Sequence, residues 1–375
     1  PDDCWSYYNL GVLLSSQNKW DEAATAFLKA MEINPDLSWW FYYNLWEVLA
    51  QQDKLDEVAS FYRGVVQAQP AAFWPYLNLG ESLTRQGKIA EAICCYQTVS
   101  YQQTLVSLVS KNTGKMPVPQ NTQNTDKMAV PQHTVTIPNF IIIGSQRCGT
   151  TSLYTYLAEH PQILTPIKKE MDFFSWHFHR GIDWYLAHFP PIPQGEKFWT
   201  FEASPSYFDY REAPERLYSA FPQVKLIVLL RNPVDRAISH FYRLSSLNWE
   251  HRSLDRAIND EIERLAQNPE YIIGEEPGNY LARGRYVEFI QNWLAFFPKE
   301  QLLVLKSEDF YTDVAETFKQ VLEFLNLPDY QLSDYQNANP GFYRPATESV
   351  RDWLSDYFKP YNQQLEEYLA RKFNW

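Results

Sequence analysis

Two hydrophobic rhythms divide the chain. Over the first hundred residues the apolar positions follow a helical period, and the helical stretches come in pairs. Asn9-Leu10, Asn44-Leu45 and Asn78-Leu79 lie 35 and then 34 residues apart, and Glu22, Glu57 and Glu91 repeat the same two spacings. Pro35 and Pro70 fall at the ends of units, Tyr8-Asn9-Leu10-Gly11 opens one helix, and Asp21-Glu22-Ala23-Ala24 opens the next. The small residues Gly11, Ala23, Gly80 and Ala92 stand where paired helices approach closely. Beyond residue 137 the pattern becomes continuous apolar runs, Asn139-Phe140-Ile141-Ile142-Ile143 and Val224-Lys225-Leu226-Ile227-Val228-Leu229-Leu230. Each run ends in a polar turn followed by a helical pattern, which predicts buried parallel strands of an α/β layer. Residues 101–136 carry neither rhythm. From Lys111 they are rich in Asn, Gln, Thr and Pro, and Lys115-Met116-Pro117-Val118-Pro119-Gln120 returns as Lys127-Met128-Ala129-Val130-Pro131-Gln132. Such sequence buries too little apolar area to offset its ordering entropy, so a flexible tether is expected.

Three units over about residues 5–100 resemble the tetratricopeptide repeat. The expected organisation is an all-α repeat domain over 1–105, a linker over 106–136 and an α/β domain over 137–375. Stacked helix pairs form a concave surface, so the resemblance implies a groove for a peptide or protein partner. The run Trp39-Trp40-Phe41-Tyr42-Tyr43 is a candidate lining for that groove; aromatics at helical spacing serve equally as core, and a packing module or dimer interface remains the other reading.

Composition narrows the function. The 375 residues are 45% hydrophobic and 16% aromatic, enough for a sizeable core, and the net charge of −12 argues against a general nucleic-acid or anionic-membrane binder. Residues 1–100 carry 6 basic and 12 acidic groups and residues 101–136 three basic and one acidic, so neither folded region is basic overall. Any anionic ligand must meet a local basic site. No apolar run approaches the ~20 residues of a membrane span. Four cysteines, two of them adjacent at Cys94 and Cys95, make no disulfide framework, so a reducing, cytoplasmic location is expected.

The candidate chemistry begins at Gly144-Ser145-Gln146-Arg147-Cys148-Gly149-Thr150-Thr151-Ser152. Strand, short polar loop and helix start, in that order, aim free backbone N–H groups and the positive end of a helix dipole at an anion. The Gly144-x4-Gly149 spacing matches the nucleoside-triphosphate P-loop, but Thr150 stands where that motif has Lys, and the cation has moved into the loop as Arg147. The second strand separates two chemistries. A P-loop ATPase or kinase would end it in Asp to hold Mg²⁺; here it ends in Arg231, followed by Asn232-Pro233-Val234-Asp235-Arg236-Ala237-Ile238-Ser239. Arg231 beside a helix N-terminus suggests a second phosphate site. Two anion sites on one sheet, neither with a Mg²⁺ ligand, fit a nucleotide phosphorylated at two places.

This region resembles the sulfotransferases that use 3′-phosphoadenosine 5′-phosphosulfate (PAPS), most closely the heparan-sulfate type. The likeness covers about residues 137–375: the 5′-phosphosulfate loop over 138–160, the 3′-phosphate motif over 226–243 with Arg231 and Ser239 at the matching positions, the segment from Arg285-Tyr286 to Phe310, and the tail Trp353 to Trp375. It implies a P-loop-like parallel sheet, PAPS as co-substrate and no metal. Arg147, Gly149, Thr150, Thr151, Ser152, Arg231 and Ser239 are then the donor-binding candidates. Glu202, in Thr200-Phe201-Glu202-Ala203-Ser204, stands where that family places its catalytic glutamate, and is the expected general base. Arg147 replaces the lysine of the heparan-sulfate enzymes, whereas tyrosylprotein sulfotransferases resemble this chain in having Arg; it is expected to stabilise the leaving group without donating a proton. Lys169, in Lys168-Lys169-Glu170-Met171-Asp172-Phe173-Phe174, matches a Lys-Glu-x-x-Phe-Phe element and is expected to be a second cation near the sulfuryl group or acceptor.

The chain departs from the family in lacking a cysteine pair and a basic, glycine-containing loop near the 3′-phosphate. Only Asn339-Pro340-Gly341-Phe342-Tyr343-Arg344-Pro345 stands there, which makes Arg344 a candidate substitute. The aromatic-rich segment Phe173 to Phe189 is expected to border the acceptor cleft. His177-x-His179 lacks the further ligands of a tetrahedral zinc site. Cys148, within an anion loop, either has a lowered pKa or merely fills the place of a small residue. A carbohydrate hydroxyl is the first expectation for the acceptor and a protein tyrosine the second. An ATP-dependent phosphotransferase and a non-catalytic repeat scaffold are the readings from other classes.

Overall fold

The computed structural model describes residues 3–34, 48, 54–111, 136–192, 195–247, 249–267, 278–332 and 347–375. The chain forms two compact units. The helical unit holds Pro1–Ile137, Leu164–Lys168 and Arg180–Phe198; the sheet unit holds Pro138–Ile163, Lys169–His179 and Trp199–Trp375.

In the helical unit, the described repeat helices are α1 (Cys4–Ser16), α2 (Trp20–Ile33), α3 (Leu55–Ala68), α4 (Phe73–Arg85) and α5 (Ile89–Ser110). Their small residues mark the crossings. A Cβ on Gly11 would lie 2.5 Å from the Phe27 ring, and one on Gly80 2.7 Å from the Tyr96 ring. The recurrent asparagine has a partner at Asn78, whose buried side-chain amide donates to the Tyr62 hydroxyl at 3.2 Å. Overpacking so tight a crossing costs about 1–3 kcal/mol; Gly80→Val is therefore expected to lower the urea midpoint of the full chain by that equivalent, measured by circular dichroism.

Helix α5 corrects the expected boundary at residue 105, since it continues to Ser110. Thr104 and Leu108 are buried one turn apart, an apolar stripe too sparse among Tyr101, Gln102 and Gln103 to register as periodic. Residues 112–135 of the expected linker and the aromatic run 39–43 lie outside the described residues.

The strands β1 (Phe140–Gly144), β2 (Ile163–Leu164), β3 (Trp199–Ala203), β4 (Lys225–Leu230) and β5 (Leu302–Lys306) are ordered β2-β3-β1-β4-β5 in one sheet. The β1–β3, β1–β4 and β4–β5 pairs are parallel, as the uninterrupted apolar runs require. Alternate residues enter one core: Phe140 and Ile142 of β1, Phe201 and Ala203 of β3, and Ile227 and Leu229 of β4. That core also takes Leu153 and Leu157 from α6 (Thr150–Glu159), with Phe318, Val321 and Leu325 from a later helix (Val314–Leu325). The two-residue period of a strand turns Glu202 to the other face of β3, opposite Ile141 in register. A second core gathers α7 (Pro233–Ser246), a helix over Leu254–Gln267 and the long helix Glu348–Leu369.

Of the large rings in the Phe173–Phe189 segment, Phe178 is exposed, at 42%, Trp176 is partly buried, and Phe173, Phe174, Trp184, Tyr185 and Phe189 are buried. Their area goes to the cores of the two units, with Phe173 and Phe174 in one and Trp184, Tyr185 and Phe189 in the other.

Candidate functional site

The parallel arrangement carries β1, β3 and β4 to a common end, where each delivers one predicted group. From β1 the chain leaves through Gly144, whose missing Cβ makes room for Phe208. The loop closes on Gly149, which N-caps α6 in the left-handed region at φ +98° with no side-chain cap. A side chain there would be strained, and its Cβ would sit 2.8 Å from the Tyr311 hydroxyl. The helix start thus presents backbone donors, the arrangement that binds anions. Thr150 and Ser152 are buried beneath it, and Thr151 Oγ1 accepts a hydrogen bond from Lys169 Nζ at 2.8 Å.

From β4 comes Arg231, whose Nη1 donates to the Arg147 carbonyl at 3.4 Å. Arg147 itself stands at φ +69°, and its Nε donates to Ser239 Oγ, on α7, at 3.2 Å. Arg147, Arg231 and Ser239, spread over 93 positions of sequence, therefore converge. The expected anion site at the start of α7 needs a correction. Asn232 Oδ1 accepts from Val234 N at 2.9 Å, and Glu308 Oε1 accepts from Asn232 N at 2.7 Å. The chain's own side chains satisfy these two amides, and Arg231 and Ser239 supply the basic and hydroxyl side chains beside the start of α7.

From β3 comes Glu202, with none of its surface exposed. Burial pushes its carboxyl up to about 8, and the neighbouring Asp172 adds to the rise; hydrogen bonds from Ser204, Tyr207 and the Met171 backbone oppose it. A shift from 4.5 to about 8 corresponds to roughly 5 kcal/mol. With its carboxyl pushed above neutral pH, the resting group is mostly protonated there. Around it lies a network that residue patterns did not reveal. Ser204 Oγ donates to Glu202 Oε1 and accepts from Asp172 N at 2.9 Å; Ser206 Oγ donates to Asp172 Oδ1; Tyr207 Oη accepts from Phe173 N at 2.9 Å. Glu170 and Asp172 both take positive φ, at +57° and +50°, which folds the Lys169 segment sharply back towards β3, with Glu170 N bonded to Ala203 O at 3.1 Å.

A further residue, Arg283, braces the loop. Its Nη1 donates to Gln146 Oε1 and its Nε lies 3.2 Å from Asp209 Oδ2, with both charged side chains nearly buried. The only local signal was a lone Arg before Gly284, too common a pattern to single out. Cys148 is fully buried, and burial pushes its thiol up, against the pull of Arg236 and Arg231. It fills space, and burial shifts it in the direction opposite to an activated thiol. His177 and His179 have ring centroids 6.3 Å apart, and among the described residues no group of three or more His, Cys, Asp or Glu is placed to hold a metal. Arg344 lies outside the described residues.

The geometry has counterparts among known proteins. The family profile of the sulfotransferase domain matches residues 138–338, and that of the tetratricopeptide repeat matches residues 4–37. The human bifunctional heparan sulfate N-deacetylase/N-sulfotransferase 3 is 32% identical over 63% of this chain, which spans only 30% of that protein's length. Human heparan sulfate glucosamine 3-O-sulfotransferase 5 is 30% identical over 64% of this chain and 74% of its own. The crystal structure of a sulfotransferase from Alicyclobacillus acidocaldarius superposes with a TM-score of 0.56 at 30% identity, covering 64% of this chain and 98% of that one. With more than half of its length matched by the domain profile, the chain belongs to the sulfotransferase family.

Proposed function

We propose that this sulfotransferase moves the sulfuryl group of PAPS to a hydroxyl of a carbohydrate acceptor. The observation that carries the reading is the meeting of two opposed demands at one sheet end. A buried carboxyl able to take a proton lies on β3, while Arg147, Arg231 and Ser239 converge from the loop, β4 and α7. The acceptor oxygen attacks sulfur and its proton passes to ionised Glu202. The sulfur–oxygen bond to the 5′-phosphate breaks, and 3′-phosphoadenosine 5′-phosphate leaves. Arg147 and the α6 amides meet the charge that builds on the departing phosphate, the arrangement that yields most in a site closed to water. Lys169, held on Thr151, stands on the sulfuryl side. The carbohydrate acceptor rests on the two heparan-sulfate relatives, and the hydroxyl on the 3-O-sulfotransferase among them. A protein tyrosine is the second reading, favoured by arginine at position 147. For the repeats we propose a peptide or protein partner, and for the chain a reducing, cytoplasmic compartment, in keeping with its four free cysteines.

Thermal-shift titration tests the donor. A ligand that binds only the folded state adds about 2.7 kcal/mol of stability at a hundredfold excess over Kd. Such a shift is expected with 3′-phosphoadenosine 5′-phosphate and not with ATP plus Mg²⁺. Arg231→Ala should weaken it by about ten- to a hundredfold, the worth of a charge-assisted hydrogen bond. A Mg²⁺-dependent shift with ATP alone would replace this reading by a phosphotransferase, and no shift with either by a scaffold.

A further inference from the structure

A buried carboxylate in the sheet unit clasps three consecutive backbone amides. Glu261, on the helix Leu254–Gln267, has none of its surface exposed. Its oxygens accept from the amides of Tyr280 at 2.6 Å, Leu281 at 3.0 Å and Ala282 at 2.9 Å. Burial pushes the carboxyl up, and the three amides, with the charge of Arg236, oppose that rise. The same stretch of backbone is held at a carbonyl too. Arg236, on α7 and fully buried, donates through Nη2 to Tyr280 O. Tyr280 Oη donates to Glu250 Oε2 at 2.8 Å, and the missing Cβ of Gly284 lets the turn Ala282–Gly284 lie against the Phe358 ring. Residues 280–284 are therefore fixed by side chains that come from several separate stretches of the unit.

What that backbone carries is Arg283. Its Nη1 donates to Gln146 Oε1 at 2.5 Å, and its Nε lies 3.2 Å from Asp209 Oδ2. Arginine offers donors only, so the amide oxygen of Gln146 has to face it, which gives the Gln146 side chain one orientation. Gln146 directly precedes Arg147, whose φ of +69° is uncommon for a residue with a side chain. Such a conformation persists only where its surroundings over-determine it. At residues 147 and 148 the surroundings are Arg231 Nη1 on Arg147 O at 3.4 Å, Ser239 Oγ under Arg147 Nε at 3.2 Å, and Ser307 Oγ on Cys148 O at 2.5 Å. The Arg231 contact is longer than the usual N–H···O range, whereas the bond from Arg283 is charge-assisted and reaches the residue before the left-handed one.

We propose that Glu261 is a positioning residue of the transferase: by clasping the amides of residues 280–282 it sets where Arg283 stands, and through Gln146 it keeps Arg147 in its left-handed conformation. The proposal rests on the reading of Arg147 as the cation that meets the departing phosphate. Glu261 acts at two removes from the reacting atoms, through Arg283 and then Gln146. The place calls for a carboxylate because three N–H groups converge on it. A glutamine of the same shape has one acceptor oxygen and turns its own NH2 towards a donor. An apolar residue would leave all three amides buried without that partner.

The test uses the full chain with Glu261→Gln, Arg283→Met and Arg147→Ala, and with each of the first two combined with Arg147→Ala. Turnover is measured with PAPS and acceptor saturating, well below the melting temperature of each variant, which circular dichroism supplies. Glu261→Gln and Arg283→Met are each expected to lower kcat about tenfold. In the Arg147→Ala background neither should lower it further, because both act through a side chain that is already gone. Arg283→Lys, which keeps a donor for Gln146, should recover part of the rate. Wild-type kcat in Glu261→Gln, even with a lowered melting temperature, would overturn the proposal and leave Glu261 a structural group. Tenfold losses that persist in the Arg147→Ala background would also overturn it, since they mark general damage to the site. Should Glu261→Gln fail to fold, Arg283→Met cuts the next link and decides by the same cycle. Wild-type turnover in Arg147→Ala would remove the reading of Arg147 and the proposal with it.

Discussion

Glu202→Gln is expected to lower kcat by about two to four orders of magnitude, the usual contribution of a positioned general base. The shift with 3′-phosphoadenosine 5′-phosphate should survive, because the proposed base acts on the acceptor and not on the nucleotide. The pH dependence gives the sharper test. With its carboxyl pushed up to about 8 by burial, Glu202 is protonated and idle in most free molecules at neutral pH. In wild type, kcat/KM should therefore climb with pH and level off above about 8. Stability runs the other way. The folded chain binds this proton more tightly than the unfolded chain, so the contribution is complete below about 4.5 and is lost as pH rises through about 8. The Gln variant removes that loss and should melt at or above the wild-type temperature in alkaline buffer. A flat kcat/KM between about pH 6 and about pH 9 would dismiss Glu202 as the base.

Arg147→Ala carries the second large effect, a fall in kcat of about a hundred- to a thousandfold, as when one donor to a developing anion is removed. Its left-handed backbone at φ +69° and its Nε bond to Ser239 aim the guanidinium within the loop, so the charge is fixed before the bond breaks. Arg147→Lys should recover only part of the loss. Lysine restores a positive charge and can give up a proton, but it cannot bond Ser239 and a second oxygen with one planar fork. Turnover measured with both substrates saturating decides the matter. An alanine variant within about threefold of wild type would assign the leaving-group charge to Arg231 or Lys169 instead.

The parts legible in the sequence are those whose cause is local. The strand-loop-helix unit at Gly144–Thr150 declares itself because only glycine suits φ +98° at position 149 and the close approach of Phe208 to position 144. The repeat crossings declare themselves because only small residues fit against Phe27 and Tyr96. Glu202 declares itself by likeness to a family, not by its pattern; the neighbours that surround it, Asp172, Ser204 and Tyr207, follow from no periodic spacing. Glu308, which satisfies Asn232 N from 76 positions away, was equally invisible, so the start of α7 read as open to phosphate. The placement of Lys168 and Trp184 against α4 spans 87 and 100 positions, a pairing that one-dimensional periodicity cannot express.

The composition of the helical unit bears on how such a chain can be inherited. Two pieces of the sulfotransferase sequence, Leu164–Lys168 and Arg180–Phe198, belong to the unit of the repeats. A recombination event that exchanged everything before residue 137 for a foreign repeat array would keep the reading frame and every site residue, yet strip Lys168, Trp184 and His188 of the side chains that receive them. A compatible new array would have to bring its own equivalents of Glu81, which pairs with Lys168, and of Thr84 and Tyr96, which meet Trp184 and His188.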